Sequence, residues 1–178
     1  NSTMAYWTES GAHSGCCLVM GEGRIQSIPL SGGLVATVIA ALDNPGAIAA
    51  DDTNIAWSEA WRIGRAPISG GAAVTAVSGI AENMARIAIS QSKVYILDGE
   101  YIKAVPLMGG KVEKVVGSAG TAINDFSVQG GDIAADMDRI YWTTMGVIGA
   151  PVVRQFMLAG GGPLVIANEA NVVNPQDC

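Results

Sequence analysis

The side chains able to do chemistry are few, and their spacing is unhelpful to most chemistries. The single histidine, His13, stands in a Gly/Ser-rich stretch next to the adjacent pair Cys16 and Cys17. A zinc site needs several Cys or His ligands at set separations, and these three match none of the usual spacings. A Ser-His-Asp triad would have to use His13, in a loop with little to orient it; it reads as a solvated loop residue. The sequence holds no Gly-x-Ser-x-Gly elbow, no His-Glu-x-x-His pair and no EF-hand loop. Gly160-Gly161-Gly162 is followed by neither Lys-Ser/Thr nor a helix pattern, so it is no phosphate loop. Neighbouring cysteines rarely bond each other, because the ring is strained. Cys16 or Cys17 can pair with Cys178 or with another chain, and three unpaired thiols is the competing reading.

The elements that must position these residues are written as a repeat. Ala5-Tyr6-Trp7-Thr8-Glu9 is followed by Ile28-Pro29-Leu30-Ser31-Gly32-Gly33, and Ile55-Ala56-Trp57-Ser58-Glu59 by Ala66-Pro67-Ile68-Ser69-Gly70-Gly71. Val94-Tyr95-Ile96-Leu97-Asp98 is followed by Val105-Pro106-Leu107-Met108-Gly109-Gly110, and Ile140-Tyr141-Trp142-Thr143-Thr144 by Phe156-Met157-Leu158-Ala159-Gly160-Gly161. A third marker precedes the later units: Ile48-Ala49-Ala50-Asp51, Ile87-Ala88-Ile89-Ser90 and Ile133-Ala134-Ala135-Asp136. From Trp7 to Trp57 is 50 residues, to Ile96 a further 39, and to Trp142 a further 46. The mean of about 45 is the length of a four-stranded propeller blade. Each unit reads as strands a (Ile-Ala-x-Asp), b (Tyr-Trp-Thr-acid), c (ending in Pro) and d, the last as in Leu34 to Ile39 or Val74 to Val77. The Gly-Gly pair supplies the positive φ of a tight hairpin from c into d. No stretch sustains a helical apolar period.

The quartets Tyr6-Trp7-Thr8-Glu9, Ala56-Trp57-Ser58-Glu59, Tyr95-Ile96-Leu97-Asp98 and Tyr141-Trp142-Thr143-Thr144 resemble degenerate YWTD motifs. Such motifs define the class B repeats of low-density-lipoprotein-receptor-type β-propellers. The fuller pattern is also similar to YWT…VPLxGG repeats in secreted bacterial proteins. The resemblance covers nearly the whole chain and is specific for the blade, not for a ligand. The fourth quartet lacks its acid and the third its Trp. The resemblance implies an all-β propeller of four-stranded antiparallel blades and a location outside the cell or on its surface. Four repeats are expected, over about residues 1–46, 47–84, 85–131 and 132–178, within one propeller or propeller segment. The first unit has b, c and d but no a, and the last ends where the next a would begin. The chain, which opens Asn1-Ser2-Thr3 without an initiator Met, is therefore expected to be a processed product or a segment of something longer. Its ring would be completed by other residues or by a second copy.

In an antiparallel meander the a–b and c–d turns share one end and the b–c and d–a loops the other. The b–c connections vary in length, and variable loops on a rigid scaffold are where binding residues collect. The candidate end carries Glu9, His13, Cys16, Cys17, Glu22, Trp61, Arg62, Asp98, Glu100 and Met145, with Asn44, Asn83, Asn124 and Asp125 from d–a loops. Glu9, Glu59 and Asp98 recur with the repeat, which favours bonding to neighbouring blades or turn backbone over binding a cation. Asp51 and Asp136 are expected to cap a–b turns. Trp7, Trp57 and Trp142 recur and read as core between blades; Trp61 does not recur and reads as a contact residue.

Composition narrows the function. The 178 residues are 49% hydrophobic and carry a net charge of −6, which excludes a disordered chain. An acidic surface disfavours nucleic acid and anionic bilayers as partners. The longest apolar run, Leu34 to Leu42, holds nine residues and Thr37, against the about 20 needed to span a membrane. Two functions remain. The favoured one is a non-catalytic binding or assembly module offering one propeller face to a protein, a glycan or itself. The other is a propeller hydrolase or lyase holding a divalent metal such as Ca²⁺ through Glu9, Asn44, Asn124 and Asp125. No cofactor is expected on the first reading.

Overall fold

The computed structural model describes residues 3–11, 13–14, 17–18, 20–80, 86–98, 101–116, 131–144 and 152–168. Strands of alternating β-branched or aromatic residues, bounded by Gly, Pro and Asp, pair into four antiparallel sheets and one small hairpin. The first sheet holds β1 (Met4–Glu9), β4 (Gly23–Pro29) and β5 (Ala36–Leu42), with the hairpin β2 (His13–Ser14) and β3 (Cys17–Leu18) inserted between β1 and β4. The second runs β6 (Pro45–Ala50), β7 (Asn54–Glu59), β8 (Arg62–Pro67), β9 (Val74–Ser78). The third runs β10 (Arg86–Ser90), β11 (Lys93–Asp98), β12 (Tyr101–Pro106), β13 (Glu113–Val116). The fourth runs β14 (Ile133–Ala135), β15 (Arg139–Thr144), β16 (Val152–Met157), β17 (Leu164–Asn168). There is no helix among the described residues. Strands a, b and c fall where the repeat places them, and the first sheet shows no strand a among the described residues.

The sheets stand face to face in chain order. Side chains alternate across a strand, and here both faces are apolar. Ile55 and Trp57 of β7 pack with Ile25, Ile39 and Leu42 of the first sheet, whereas Ala56 between them joins Ile87, Val94 and Ile96 of the third. Tyr95 and Leu97 face the other way, into a core shared with Ile133, Ile140 and Trp142. Each of the three cores therefore belongs to two successive sheets. Fully burying one such Ile contributes roughly 1.5–3 kcal/mol. The innermost strands also touch, β1 with β6, β6 with β10, and β10 with β14. Small side chains such as Ala47, Ala49 and Ala88 permit that approach.

Three expectations need correction. The c–d connection is not a two-residue hairpin: residues 30–35, 68–73, 107–112 and 158–163 form connections of equal length. Each opens with a turn closed by the first glycine, Gly32, Gly70, Gly109 or Gly160, donating to the carbonyl at the end of strand c at 2.8–3.0 Å. The glycine pair follows the turn, at φ +85° and +143° for Gly32 and Gly33. The first d strand begins at Ala36 rather than Leu34, which is 91% exposed in the connection. Trp57 and Trp142 are 1% exposed, as a core position demands, but Trp7 is only half-buried. Tyr6 beside it faces the second sheet, so alternation points Trp7 to the other side, where no described sheet packs.

Trp57 lies opposite Gly64 in the ladder. A Cβ on Gly64 would sit 2.4 Å from indole Cε2, so the bare backbone forms the seat of the ring. Gly64→Ala is expected to destabilise the chain by about 1–3 kcal/mol through overpacking, read from urea denaturation. A neutral result would mean that the indole is seated elsewhere.

Candidate functional site

The b–c and d–a loops do share one end. At the opposite end the c–d connections of the second, third and fourth sheets are tied to a–b turns, as in Ile68 N–H to the Thr53 carbonyl (2.9 Å) and Leu107 N–H to the Ser92 carbonyl (2.8 Å). Asp51 and Asp136 cap those a–b turns as expected. Asp51 Oδ1 accepts the backbone N–H of Thr53 and Asn54, each at 2.7 Å. Asp136 Oδ1 accepts those of Asp138 (2.8 Å) and Arg139 (2.7 Å). Those N–H bonds, with the Tyr141 hydroxyl, hold the Asp136 carboxyl below the usual aspartate range.

At the candidate end two of the recurring acids, Glu59 and Glu9, are bonded to the scaffold. Glu59 is 1% exposed. Its Oε2 accepts the Trp57 indole N–H at 3.0 Å, and its Oε1 accepts Arg62 Nη2 at 2.9 Å and the Asp43 backbone N–H at 2.5 Å. Asp43 Oδ1 in turn accepts the Gly21 N–H at 2.7 Å. One carboxylate thus joins strand b, strand c and the loop leaving the first sheet. Glu9 repeats the pattern without reaching another sheet. Its Oε1 accepts the Trp7 indole N–H at 3.1 Å and its Oε2 accepts Arg24 Nε at 2.7 Å. The Gln26 amide, with its nitrogen toward Glu9, adds a bond of 2.7 Å. The Trp7 bond first, and Arg24 second, hold the Glu9 carboxyl below the usual glutamate range. Trp142 has no such partner: its buried indole N–H finds no acceptor among the described residues, and the fourth quartet has Thr144 where the acid would stand.

Around Glu9 lies an open cleft of about 630 Å³ lined by Thr8, Glu9, Ser10, Gly11, Glu22 and Arg24. Glu22 lines this cleft together with Glu9. Asn44 takes a left-handed conformation, φ +53°, in the link from β5 to β6. Trp61 sits in the two-residue turn between β7 and β8 and is 60% exposed. Its carbonyl accepts the N–H groups of Gly79 (2.9 Å) and Ile80 (3.2 Å), so an exposed indole rides on a pinned turn. Arg62 next to it is bound to Glu59. Cys16, Asn83, Glu100, Asn124, Asp125, Met145 and Cys178 lie outside the described residues, as do the side chains of His13, Cys17 and Asp98. Among the described residues no three His, Cys, Asp or Glu side chains converge as metal ligands would.

Two features escaped the sequence reading. Arg24 and Arg62 are the register partners of Glu9 and Glu59. The signal was there, since each Arg directly precedes the first Ile of strand c. The other is the apolar character of the opposite end, where Leu30, Leu34, Met108 and Met137 are 63–91% exposed; nothing in the repeat distinguished them from core residues.

Solved structures share this arrangement. A TolB-type protein from Agrobacterium tumefaciens superposes with a TM-score of 0.63 at 14% identity, covering 83% of this chain and 57% of that one. TolB from Acinetobacter baumannii gives 0.62 at 16% identity, covering 84% of this chain and 39% of that one. A puromycin hydrolase gives 0.56 at 13% identity, covering 86% and 25%. The shared feature is the β-propeller fold, and this chain spans between a quarter and three fifths of the length of those proteins. The likeness does not single out the low-density-lipoprotein-receptor repeats that the quartets resemble. No protein-family model matches the chain, and no curated protein matches it.

Removing the Glu59 carboxylate strands the buried Trp57 indole N–H and the part-buried Asp43 N–H. Glu59→Ala is expected to cost about 2–4 kcal/mol in chemical denaturation, and a cost below that of an ordinary surface substitution would contradict the arrangement. Glu9 adds a pH signature. Its folded-state pKa is depressed, so its contribution is complete above the ordinary glutamate range and is lost as pH falls through the lower folded value. Thermal melts from neutral to acid pH should show a steeper decline for the native chain than for Glu9→Gln. Parallel curves would mean that Glu9 is not held by Trp7 and Arg24.

Proposed function

We propose that residues 1–178 act as one propeller segment whose task is binding rather than catalysis, presenting the b–c loop end to a protein partner. The observation that supports this most is Trp61, a large apolar side chain 60% exposed on a turn fixed by two backbone bonds. Rigid exposed Trp beside Arg is the residue type on which interfaces concentrate their energy. Met20, 68% exposed, adds to the same end. A glycan or a second copy of the chain would meet the same indole. The place of action is outside the cytoplasm, a reading supported by the likeness of the quartets to secreted repeat proteins.

The competing reading, a metal-dependent hydrolase or lyase, would need Glu9 and Asn44 to act with Asn124 and Asp125. Glu9 already receives Trp7, Arg24 and Gln26, which weakens that reading.

The native chain, immobilised, is offered proteins and glycans of its source, and whatever is retained is titrated against variants. Trp61→Ala is expected to weaken binding by about thirtyfold, the cost of truncating a Trp worth about 2 kcal/mol, with an unchanged melting temperature. Leu34→Ser, at the other end, is expected to bind normally. Loss confined to Leu34→Ser would move the interface to the opposite end. One equivalent of tightly held metal, with hydrolysis abolished in Glu9→Gln, would replace the binding reading with the enzymatic one.

A further inference from the structure

Each strand c carries one residue opposite the Trp position of strand b: Gln26 opposite Trp7, Gly64 opposite Trp57, Lys103 opposite Ile96 and Arg154 opposite Trp142. Gln26, Lys103 and Arg154 are long side chains ending in a hydrogen-bond donor, and Gly64 has no side chain. In the first sheet the consequence is visible. Glu9 accepts the Trp7 indole N–H, Arg24 and the Gln26 amide, the last at 2.7 Å. Glu59 accepts the Trp57 indole N–H and Arg62, and position 64 offers it nothing. Its Oε2 takes the indole alone among the described residues, and a carboxylate oxygen has about two acceptor sites. Beside Gly64, the seam between the first and second sheets holds a cleft of about 150 Å³. Ala40 and Ala41 of β5, Gly64 and Ala73 give it small-residue walls, and Glu59 and Arg62 line it as well. One wall is irregular. The ladder from β4 to β5 passes from Gly23 opposite Leu42 to Ile25 opposite Ile39, so Ala40 and Ala41 form a bulge, with Ala41 at φ +59°. Left-handed backbone is uncommon for a residue with a Cβ, and bulges are over-represented next to active sites.

We infer that this cleft receives a basic side chain, lysine or arginine, from a partner polypeptide, with its aliphatic stem along Ala40, Ala41 and Ala73 and its cationic head on Glu59. The chemistry is the one the repeat itself uses, since Lys103 and Arg154 stand at the position that Gly64 leaves bare. A stem laid on small apolar side chains with a charged end kept on a polar group is how long basic residues bury. The Glu59 side chain is 1% exposed and that of Arg62 beside it 44% exposed. A buried charge is screened less than an exposed one, so Glu59 attracts the incoming head more than Arg62 repels it. The chain's net charge of −6 favours a cationic visitor as well. The cleft needs nothing from Trp61, so this inference and the interface reading fail separately.

The probe is Nα-acetyl-lysine amide, titrated at constant ionic strength into the intact isotope-labelled chain, with the indole N–H resonances of its four tryptophans as the readout. Expected is a saturable shift of the Trp57 resonance, because its acceptor Glu59 gains a further donor, with Trp142 unmoved. Nα-acetyl-arginine amide is expected to give the same shift. The Nε-acetylated lysine probe and Nα-acetyl-glutamine amide are expected to bind at least about tenfold more weakly. Ala40→Leu and Ala73→Leu, changes at exposed residues that narrow the cleft, are each expected to abolish the shift with an unchanged melting temperature. Trp61→Ala is expected to bind the probe as the native chain does. The inference is overturned if the Trp57 resonance does not move saturably, if the neutral probes bind equally well, or if the leucine variants bind as the native chain does. It is also overturned if the shift vanishes in Trp61→Ala, because the probe then sits on that indole.

Discussion

Everything in this molecule depends on sheets that are apolar on both faces. A sheet of that kind cannot rest in water on either side, and a stack of them solves the problem by giving each core to two neighbours. Ile55 and Trp57 look back to the first sheet, Ala56 looks forward to the third, and the same alternation continues through Val94, Tyr95, Ile96 and Leu97. The consequence is a gradient. The b strands β7 and β11 are the most deeply buried, and the outer d strands, β9 and β13, are largely exposed. The face of the first sheet that carries Trp7 lacks this cover among the described residues.

The two ends of the stack are then built differently. At one end, connections of a single length are tied to a–b turns, two of them capped by Asp51 and Asp136, leaving little variation for recognition. At the other, the Trp-x-acid step is an anchor. The carboxylate takes the indole N–H and an Arg from the facing strand, and in Glu59 it also holds the loop from the preceding sheet. Glu9 and Glu59, which recur with the scaffold, bond to it. Trp61, which does not recur, is left exposed on its turn.

The fold was legible in the sequence because its signal is periodic. Repeated Trp quartets, prolines ending strand c and Ile-Ala pairs opening the next unit fixed strand order and the side of the sheet each residue faces. Pro29, Pro67 and Pro106 end their strands, as a residue without a donor must. The length of the c–d connection was misread because Gly-Gly was taken for the turn itself, when it follows one. Trp7 is less buried than its repeat position implies, because no described sheet packs on its side of β1. The site was less legible. Glu59 was correctly assigned to loop backbone, but Arg24, Arg62 and Asp43 were missed as its partners and those of Glu9, since pairing across strands depends on register. The candidates in the longer loops, His13, Asn124 and Asp125 among them, gain nothing from periodicity.

The shared-core arrangement is tested most directly by native-state hydrogen exchange resolved to individual amides. If each core is held between successive sheets, the amides of β7 and β11 exchange only through global unfolding, while those of β9 and β13 exchange through local opening at lower free energy. Uniform protection across the four strands of a sheet, or slowest exchange in β9 and β13, would contradict it.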